Sequence, residues 1–488
     1  MQFNSDFQSN SIEMESDNGS SLGKPTSGFK FQFTRFYTYS TLVLIYTLVS
    51  FHKQCTSVLE NDIAKTYNVD TSKIIIFSSI YFYLYACSQP FSGLIADLLD
   101  PATVVGVTGC IAALGSIIIG GSKSLGVGIF GRLLVGLGCG PTYVSTCRVI
   151  TNWFKLEHLP IFMGILVALS GTGGILASLP LVKFAQKYSW NTALYGIGAI
   201  GGILSVFTLF FVRGNPITKG YQPVNEQLAA SSDEPTSFKD KMKLLWSNFK
   251  TVLSNKYFWI VTLFNATSSG PFFAVAAYWG APYLKDVLGY TKDKYGITMI
   301  SISVGVIAGS LILPNISKLL HTKKWMLVAA NICAISAIIP LFVRGDNLPN
   351  AAIWVLYIII GFFTAPCITI SYPLVCSYYH PKVAGSSVGL GNFFLFVAAA
   401  IYQQIPNLGF RNKDTKDWYG YKWGLWFFCI ISLIVSLICA IIAIEPKPVQ
   451  KETKINDDLK DTTQDKKESS SVEQNDSNTE DSGSGIDA

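Results

Sequence analysis

Gly136-Leu-Gly-Cys-Gly-Pro141 and Gly361-Phe-Phe-Thr-Ala-Pro366 set a glycine and a proline at the same spacing, 225 positions apart, each inside an apolar stretch. The next apolar stretch opens in both cases with Pro-x3-Gly, from Pro160 to Gly164 and from Pro381 to Gly385, an offset of 221. A backbone-level pattern that recurs at nearly constant offset implies one structural unit used twice. Two parallel copies of a helical unit are a plan used by many secondary transporters.

The composition says where such units reside. Half of the 488 residues are hydrophobic and only 14% are charged, against about a quarter charged in soluble domains. A bilayer core takes about 20 apolar residues per helix. Twelve stretches meet that length: 36–58, 74–94, 103–120, 127–149, 161–182, 192–212, 258–284, 297–320, 325–343, 351–375, 385–405 and 421–444. The expected fold is an all-α polytopic membrane protein of twelve transmembrane helices in two six-helix, pseudo-symmetric halves. The expected domains are a disordered cytoplasmic N-terminus (1–35), an N-terminal half (36–212), a cytoplasmic linker (213–257), a C-terminal half (258–445) and a disordered cytoplasmic tail (446–488).

Several function classes recede. The formal charge of +6 comes from lysine-rich loops, with no basic stripe interleaved with aromatics, so nucleic acid is not an expected partner. The ten cysteines lie almost entirely in apolar stretches and form no CxxC pair, so neither metal nor cofactor is expected. No nucleophile–base pair or phosphate loop points to an enzyme, and no catalytic residue is assigned. The polar N-terminus has no h-region, and the first membrane stretch is expected to act as its own signal.

An even number of crossings puts both termini on one side. Arg35, Lys155, Arg213, Lys239, Lys241, Lys243, Lys323 and Lys324 fall on that side, against Lys65, Lys123, Lys187, Lys292, Arg344 and Lys413 on the other. The bias makes the termini cytoplasmic. In the linker, Phe238, Met242, Leu245, Phe249 and Val252 recur at helical spacing among lysines. This reads as an amphipathic helix on the membrane face or as a lead-in to the seventh helix. Gly220-Tyr221-Gln222-Pro223-Val224 has the form of a tyrosine-type lysosomal sorting signal, and Asp240-x3-Leu244-Leu245 that of an acidic dileucine signal.

The charges inside the apolar stretches carry the chemistry. An arginine at membrane depth costs roughly 2.5–3.5 kcal/mol on insertion scales, so it faces a partner or a wet cavity. Arg132 shares a helical face with Gly136, Gly140, Tyr143 and Cys147. His52 and Lys53 lie at a similar depth in the first stretch. No Asp or Glu falls in the middle of any stretch, Glu60, Asp62 and Asp286 being placed at outer ends. Tyr85, Tyr278, Trp279 and Tyr372 supply polar aromatics, and Asn392 reads as a packing residue beside Gly385 and Gly389.

Gly93-Leu-Ile-Ala-Asp97 after the second stretch, Arg132-x3-Gly136-x-Gly138 in the fourth, and the twelve-helix repeat resemble the major facilitator superfamily. Phe51-His52-Lys53, Asn152-Trp153-Phe154 and Trp279-Gly280-Ala281-Pro282-Tyr283-Leu284 resemble a microbial-type group within it. The resemblance implies a central cavity lined mainly by helices one, four, seven and ten, with alternating access by rocking. The basic residues that usually follow the aspartate are missing here, where Leu98-Leu99-Asp100-Pro101-Ala102 stands.

The resulting expectation is transport of a small organic solute, an anion or carboxylate, by uniport or exchange. His52, Lys53 and Arg132 would grip the anion, with Tyr85, Tyr278, Trp279 and Tyr372 shaping the pocket. Gly93, Asp97, Gly136, Pro141, Gly361 and Pro366 would serve gating and bending. The chain is expected as a monomer in the lipid bilayer of the plasma membrane or of endosomes and lysosomes. The alternatives are a lysosomal dipeptide or amino-acid carrier and a non-transporting membrane receptor. On this reading Lys53→Ala and Arg132→Ala each abolish uptake while leaving protein in the membrane.

Overall fold

The computed structural model describes residues 28–225, 237–409 and 417–445. The tail 446–488, most of the N-terminal segment, Lys413 and part of the linker lie outside the described residues. Twelve helices are long and apolar enough to cross a membrane: α1 (Phe29–Tyr67), α2 (Thr71–Ala96), α3 (Pro101–Gly121), α4 (Leu125–Trp153), α5 (Ile161–Lys187), α6 (Trp190–Phe211), α7 (Lys256–Asp286), α8 (Lys292–Leu319), α9 (Lys324–Arg344), α10 (Asn350–Cys376), α11 (Val383–Leu408) and α12 (Trp418–Ile442). Helix α1 begins at Phe29, inside the stretch 1–35 expected to be disordered, and runs past the expected end at Val58.

The recurring glycines are contact points. A Cβ on Gly136 would lie 2.4 Å from the carbonyl oxygen of Tyr81, so α4 rests directly on the backbone of α2. A Cβ on Gly361 would lie 2.1 Å from the carbonyl oxygen of Ile302, so α10 rests on α8 in the same way. Tyr81 and Ile302 are themselves 221 positions apart. The two crossings are thus the same crossing made twice, allowed only where no side chain stands between the backbones.

The recurring prolines break the same two helices. Proline has no N–H and its ring collides with the preceding turn. Helix α4 accordingly divides into Leu125–Cys139 and Thr142–Trp153 around Pro141. Helix α10 divides at Pro366, with a tight turn over Ala365–Cys367 between Asn350–Phe363 and Ile368–Cys376.

At the end of the bundle carrying the termini, polar caps tie the connecting segment down. Asp100 accepts from the N–H of Thr103, capping α3, and from the N–H of Gly214 at 2.7 Å. Asn152 and Trp153 donate to the carbonyls of Gly214 and Arg213. The Tyr221 ring packs edge-on against Phe31, with centroids 5.1 Å apart, so the tyrosine of the sorting-type sequence is engaged in packing. The linker helix Phe238–Leu253 buries Leu245, Phe249 and Val252 and leaves Trp246 exposed. Phe249 meets Phe91 of α2, and Asn248 donates to Ser386 of α11.

If the glycine crossings hold each repeat together, Gly136→Leu and Gly361→Leu should each destabilise the protein by about 1–3 kcal/mol through overpacking. Melting of the detergent-solubilised protein reads this out. A Gly361→Leu variant melting with the wild type would contradict the equivalence of the two crossings.

Candidate functional site

A cavity of about 160 Å³ lies within the bundle. Its wall takes Tyr46, Ser50, Lys53 and Gln54 from α1, Tyr85 from α2, Tyr143 from α4 and Ser170 from α5. Phe272, Phe273 and Ala277 come from α7, Pro366, Thr369 and Tyr372 from α10, and Asn392 and Phe396 from α11. Helices one, four, seven and ten contribute as the family resemblance implies, but α2, α5, α8 and α11 contribute as well. Tyr143 and Tyr372 also line a second space of about 500 Å³, which extends past Gln89, Gly93 and Leu94 to Lys241 and Leu245 of the linker helix.

Lys53 is the basic residue lining the 160 Å³ cavity. Its ammonium sits 3.5 Å from the Tyr85 hydroxyl, 4.6 Å from the Tyr85 ring centroid and 4.9 Å from that of Phe396. The Tyr46 ring is 5.9 Å away. The π faces of these rings attract a cation without neutralising it. Among the described residues no carboxylate lies within ion-pair distance of Lys53. Nearby, Tyr372 donates to Asn392 Oδ1, and Gln54 accepts from Ser303 across the α1–α8 contact at 3.3 Å.

Arg132 is elsewhere, which corrects the expected three-cation cluster. It is buried and donates to the carbonyls of Phe77 and His52 and to the Thr56 hydroxyl at 3.3, 3.1 and 2.8 Å. Its guanidinium also lies over the Phe77 and Tyr81 rings. These contacts join α1, α2 and α4, and none reaches the cavity. The sequence reading put Arg132 and Tyr143 on one face, but Pro141 breaks the helix between them. His52 is likewise turned away. One residue step rotates about 100° around a helix, so His52 faces α3 and α6, beside Gly109, Ala112 and Gly201. Its Nδ1 has no hydrogen-bond partner among the described residues.

Tyr278 and Trp279 also leave the cavity, because residues Val275–Trp279 form a wide π turn, which shifts the helical phase. Tyr278 donates to Glu60 Oε1 at 2.6 Å, with the Thr71 carbonyl at 3.0 Å, and Trp279 donates to the Gln403 carbonyl at 2.8 Å. Glu60 is buried inside α1, which corrects its expected position at an outer helix end. Around it, Ser57 donates to the Tyr278 carbonyl and accepts from the Ala281 N–H. Lys292 pairs with Asp62 and Lys183 with Asp293, each at 2.5 Å, and Lys285 donates to Asn61. The end of the bundle opposite the termini is therefore sealed between α1, α5, α7 and α8.

Of the expected pocket residues the structure brings Lys53, Tyr85 and Tyr372 together at the cavity. Of the expected gating residues, Gly93 lines the larger space and Pro366 the smaller; the Asp97 side chain lies outside the described residues. Gln54, Tyr46 and Asn392 are additions. Tyr46, Ser50, Lys53 and Gln54 follow i, i+4, i+7, i+8 spacing, a signal present in the sequence.

The family profile of the Major Facilitator Superfamily matches residues 42–402. This chain belongs to that superfamily. It is 32% identical over 133 residues to the MFS-type transporter gkaD of Penicillium citrinum, covering 27% of this chain and 23% of the relative. It is 25% identical over 298 residues to a glycerol-3-phosphate transporter of Bacillus subtilis, covering 59% and 65%. The chain thus spans less than two thirds of either relative's length. Among solved structures, a bacterial homolog of the human lysosomal transporter Spinster, inward-facing and unoccupied, aligns with a TM-score of 0.61 at 16% identity, covering 84% of this chain and 96% of that one. At that identity the likeness speaks to the fold.

The geometry separates two substitutions that the sequence treats alike. Arg132→Ala would remove three charge-assisted hydrogen bonds that join α1, α2 and α4, each contributing about 1.5–3 kcal/mol. It should reduce the amount of folded protein in the membrane, as read by fluorescence-detected gel filtration, whereas Lys53→Ala should not. Equal folded yields for both would place Arg132 outside the structural core. Glu60→Gln and Tyr278→Phe should loosen the sealed end, raising maleimide access to a cysteine introduced at Ser57. Unchanged labelling would remove the Glu60–Tyr278 bond from the seal.

Proposed function

We propose that this protein carries a small organic anion, such as a carboxylate, across a membrane by alternating access, as a uniporter or exchanger. The observation that supports the reading is Lys53: an ammonium on the wall of the central cavity with no carboxylate partner among the described residues. Burying a charge is costly unless it is paired, and an anionic solute would supply the missing partner. The glycerol-3-phosphate transporter among the relatives carries an anion by its printed name, which agrees in sign.

The geometry also supports a direction of access. With one end sealed by the Glu60–Tyr278 bond and its neighbours, Tyr143 and Tyr372, which stand between the cavity and the space beside the linker helix, support access from the termini end. Rocking of the halves along the α2–α11 and α5–α8 contacts, with give at Pro141 and Pro366, would exchange the sealed end. Proton coupling finds little support, since the described cavity wall carries no Asp or Glu and Glu60 lies at the seal. A dipeptide or amino acid is disfavoured for the same reason: its amine would meet Lys53 and no acid. The lysine bias supports cytoplasmic termini.

A thermal-shift screen of purified full-length protein against small organic anions, zwitterions, cations and neutral solutes tests the assignment, followed by flux of the stabilising class in proteoliposomes. Anions should stabilise, and Lys53→Ala should lower their affinity by about tenfold or more, as expected for loss of a charge-assisted hydrogen bond. Stabilisation by cations, or by anions equally in wild type and Lys53→Ala, would contradict it. Binding without flux would make the protein a receptor on this fold.

A further inference from the structure

The wall of the cavity says which anion. Resting on the reading of Lys53 as the anion grip, we propose that the site selects a monoanion with a flat apolar body about the size of one aromatic ring, and discriminates against phosphate esters and other dianions. The first observation is charge. Lys53 stands as the cation lining the cavity, because Arg132 is bound to the carbonyls of Phe77 and His52 and to Thr56 outside it. One ammonium balances one negative charge. A second negative charge would sit among aromatic faces, whose π density repels anions, in surroundings where an unpaired charge is heavily penalised.

The second observation is how the ammonium is held. Tyr85 and Phe396 approach Lys53 with ring faces at 4.6 and 4.9 Å, and Tyr46 with one at 5.9 Å. These rings occupy positions that a polyanion site would fill with further donors. The other polar groups on the wall, among them the hydroxyls of Tyr46, Ser50, Tyr85 and Tyr143 and the side-chain amides of Gln54 and Asn392, the latter with its oxygen engaged by Tyr372, are neutral. They can donate to the two oxygens of one carboxylate but bring no second positive charge.

The third observation is size and lining. The cavity of about 160 Å³ is close to the ~150 Å³ apolar cavity that takes one benzene molecule. Phe272, Phe273 and Leu395 supply an apolar part of the wall. A carboxylate at Lys53 with a ring against the phenylalanines fills both parts. A glycerol or sugar body would leave the phenylalanines without an apolar partner.

Four probes with small bodies separate these terms: phenylacetate, its neutral isostere phenylacetamide, phenyl phosphate as a dianion at pH 7.5, and glycerol 3-phosphate. Binding to full-length wild type, Lys53→Gln and Lys53→Arg is measured by isothermal titration in detergent. Phenylacetate should bind wild type at least about tenfold more tightly than phenylacetamide, phenyl phosphate or glycerol 3-phosphate, a difference of about 1.4 kcal/mol. Lys53→Gln should remove that preference over phenylacetamide, and Lys53→Arg should keep it. If phenyl phosphate or glycerol 3-phosphate binds as well as phenylacetate and depends on Lys53, the monoanion inference falls while the anion reading stands. If phenylacetate and phenylacetamide bind alike and Lys53→Gln changes neither, both fall. If none of the four binds, the ring-sized monoanion is overturned and the broader anion screen decides the reading beneath it.

Discussion

A charge inside a membrane bundle must be answered by something, because neither lipid nor packed side chains can replace its hydration. The organisation of this protein follows from how its charges are answered. Arg132 is answered by carbonyls and a hydroxyl of its own fold, and so fastens α1, α2 and α4. Glu60 is answered by Tyr278 across the bundle, and so fastens the end opposite the termini. Among the described residues Lys53 is answered by aromatic faces and one tyrosine hydroxyl at the limit of hydrogen-bond range. The first two kinds of answer fasten helices to one another, and the third leaves a candidate site.

The scaffold itself is made twice from backbone contacts. Gly136 on the Tyr81 carbonyl and Gly361 on the Ile302 carbonyl bring broken helices against unbroken ones in each half. The polar features are not repeated. At the offset of 225, Arg132 corresponds to Tyr357, which is buried with its hydroxyl unpartnered among the described residues. Likewise, Lys53 and Glu60 both belong to α1. At the cavity, the half containing α1 thus carries the charge, and the other half presents aromatic, apolar and neutral polar groups to it.

How much of this the sequence disclosed depends on what kind of signal each residue leaves. The fold was legible because backbone approach restricts residue type: glycine spacing records the crossings directly, and proline records the breaks. Hydrophobic length recorded the membrane spans. Lys53, Tyr85 and Tyr372 were legible as polar groups at depth. Arg132 was misplaced because helical phase was carried through Pro141, where the helix is interrupted. Tyr278 and Trp279 were misplaced because a π turn over Val275–Trp279 leaves no mark in hydrophobic periodicity. Glu60 was set at a helix end because apolar character stops near Val58, while the helix itself continues to Tyr67 under tertiary packing. Asn392 looked like a packing residue because the sequence does not say what lies across from α11.

The account turns on the ammonium of Lys53, and chemical restoration of that charge tests it most directly. Lys53→Cys protein would be reconstituted and phenylacetate uptake measured before and after aminoethyl methanethiosulfonate, which places an ammonium on the introduced thiol, with methyl methanethiosulfonate as the uncharged control and treated wild type as the control for the ten native cysteines. The account predicts that uptake is lost in Lys53→Cys, returns with the aminoethyl reagent and does not return with the methyl reagent. Uptake at the wild-type level in untreated Lys53→Cys, or equal recovery with the uncharged reagent, would contradict it.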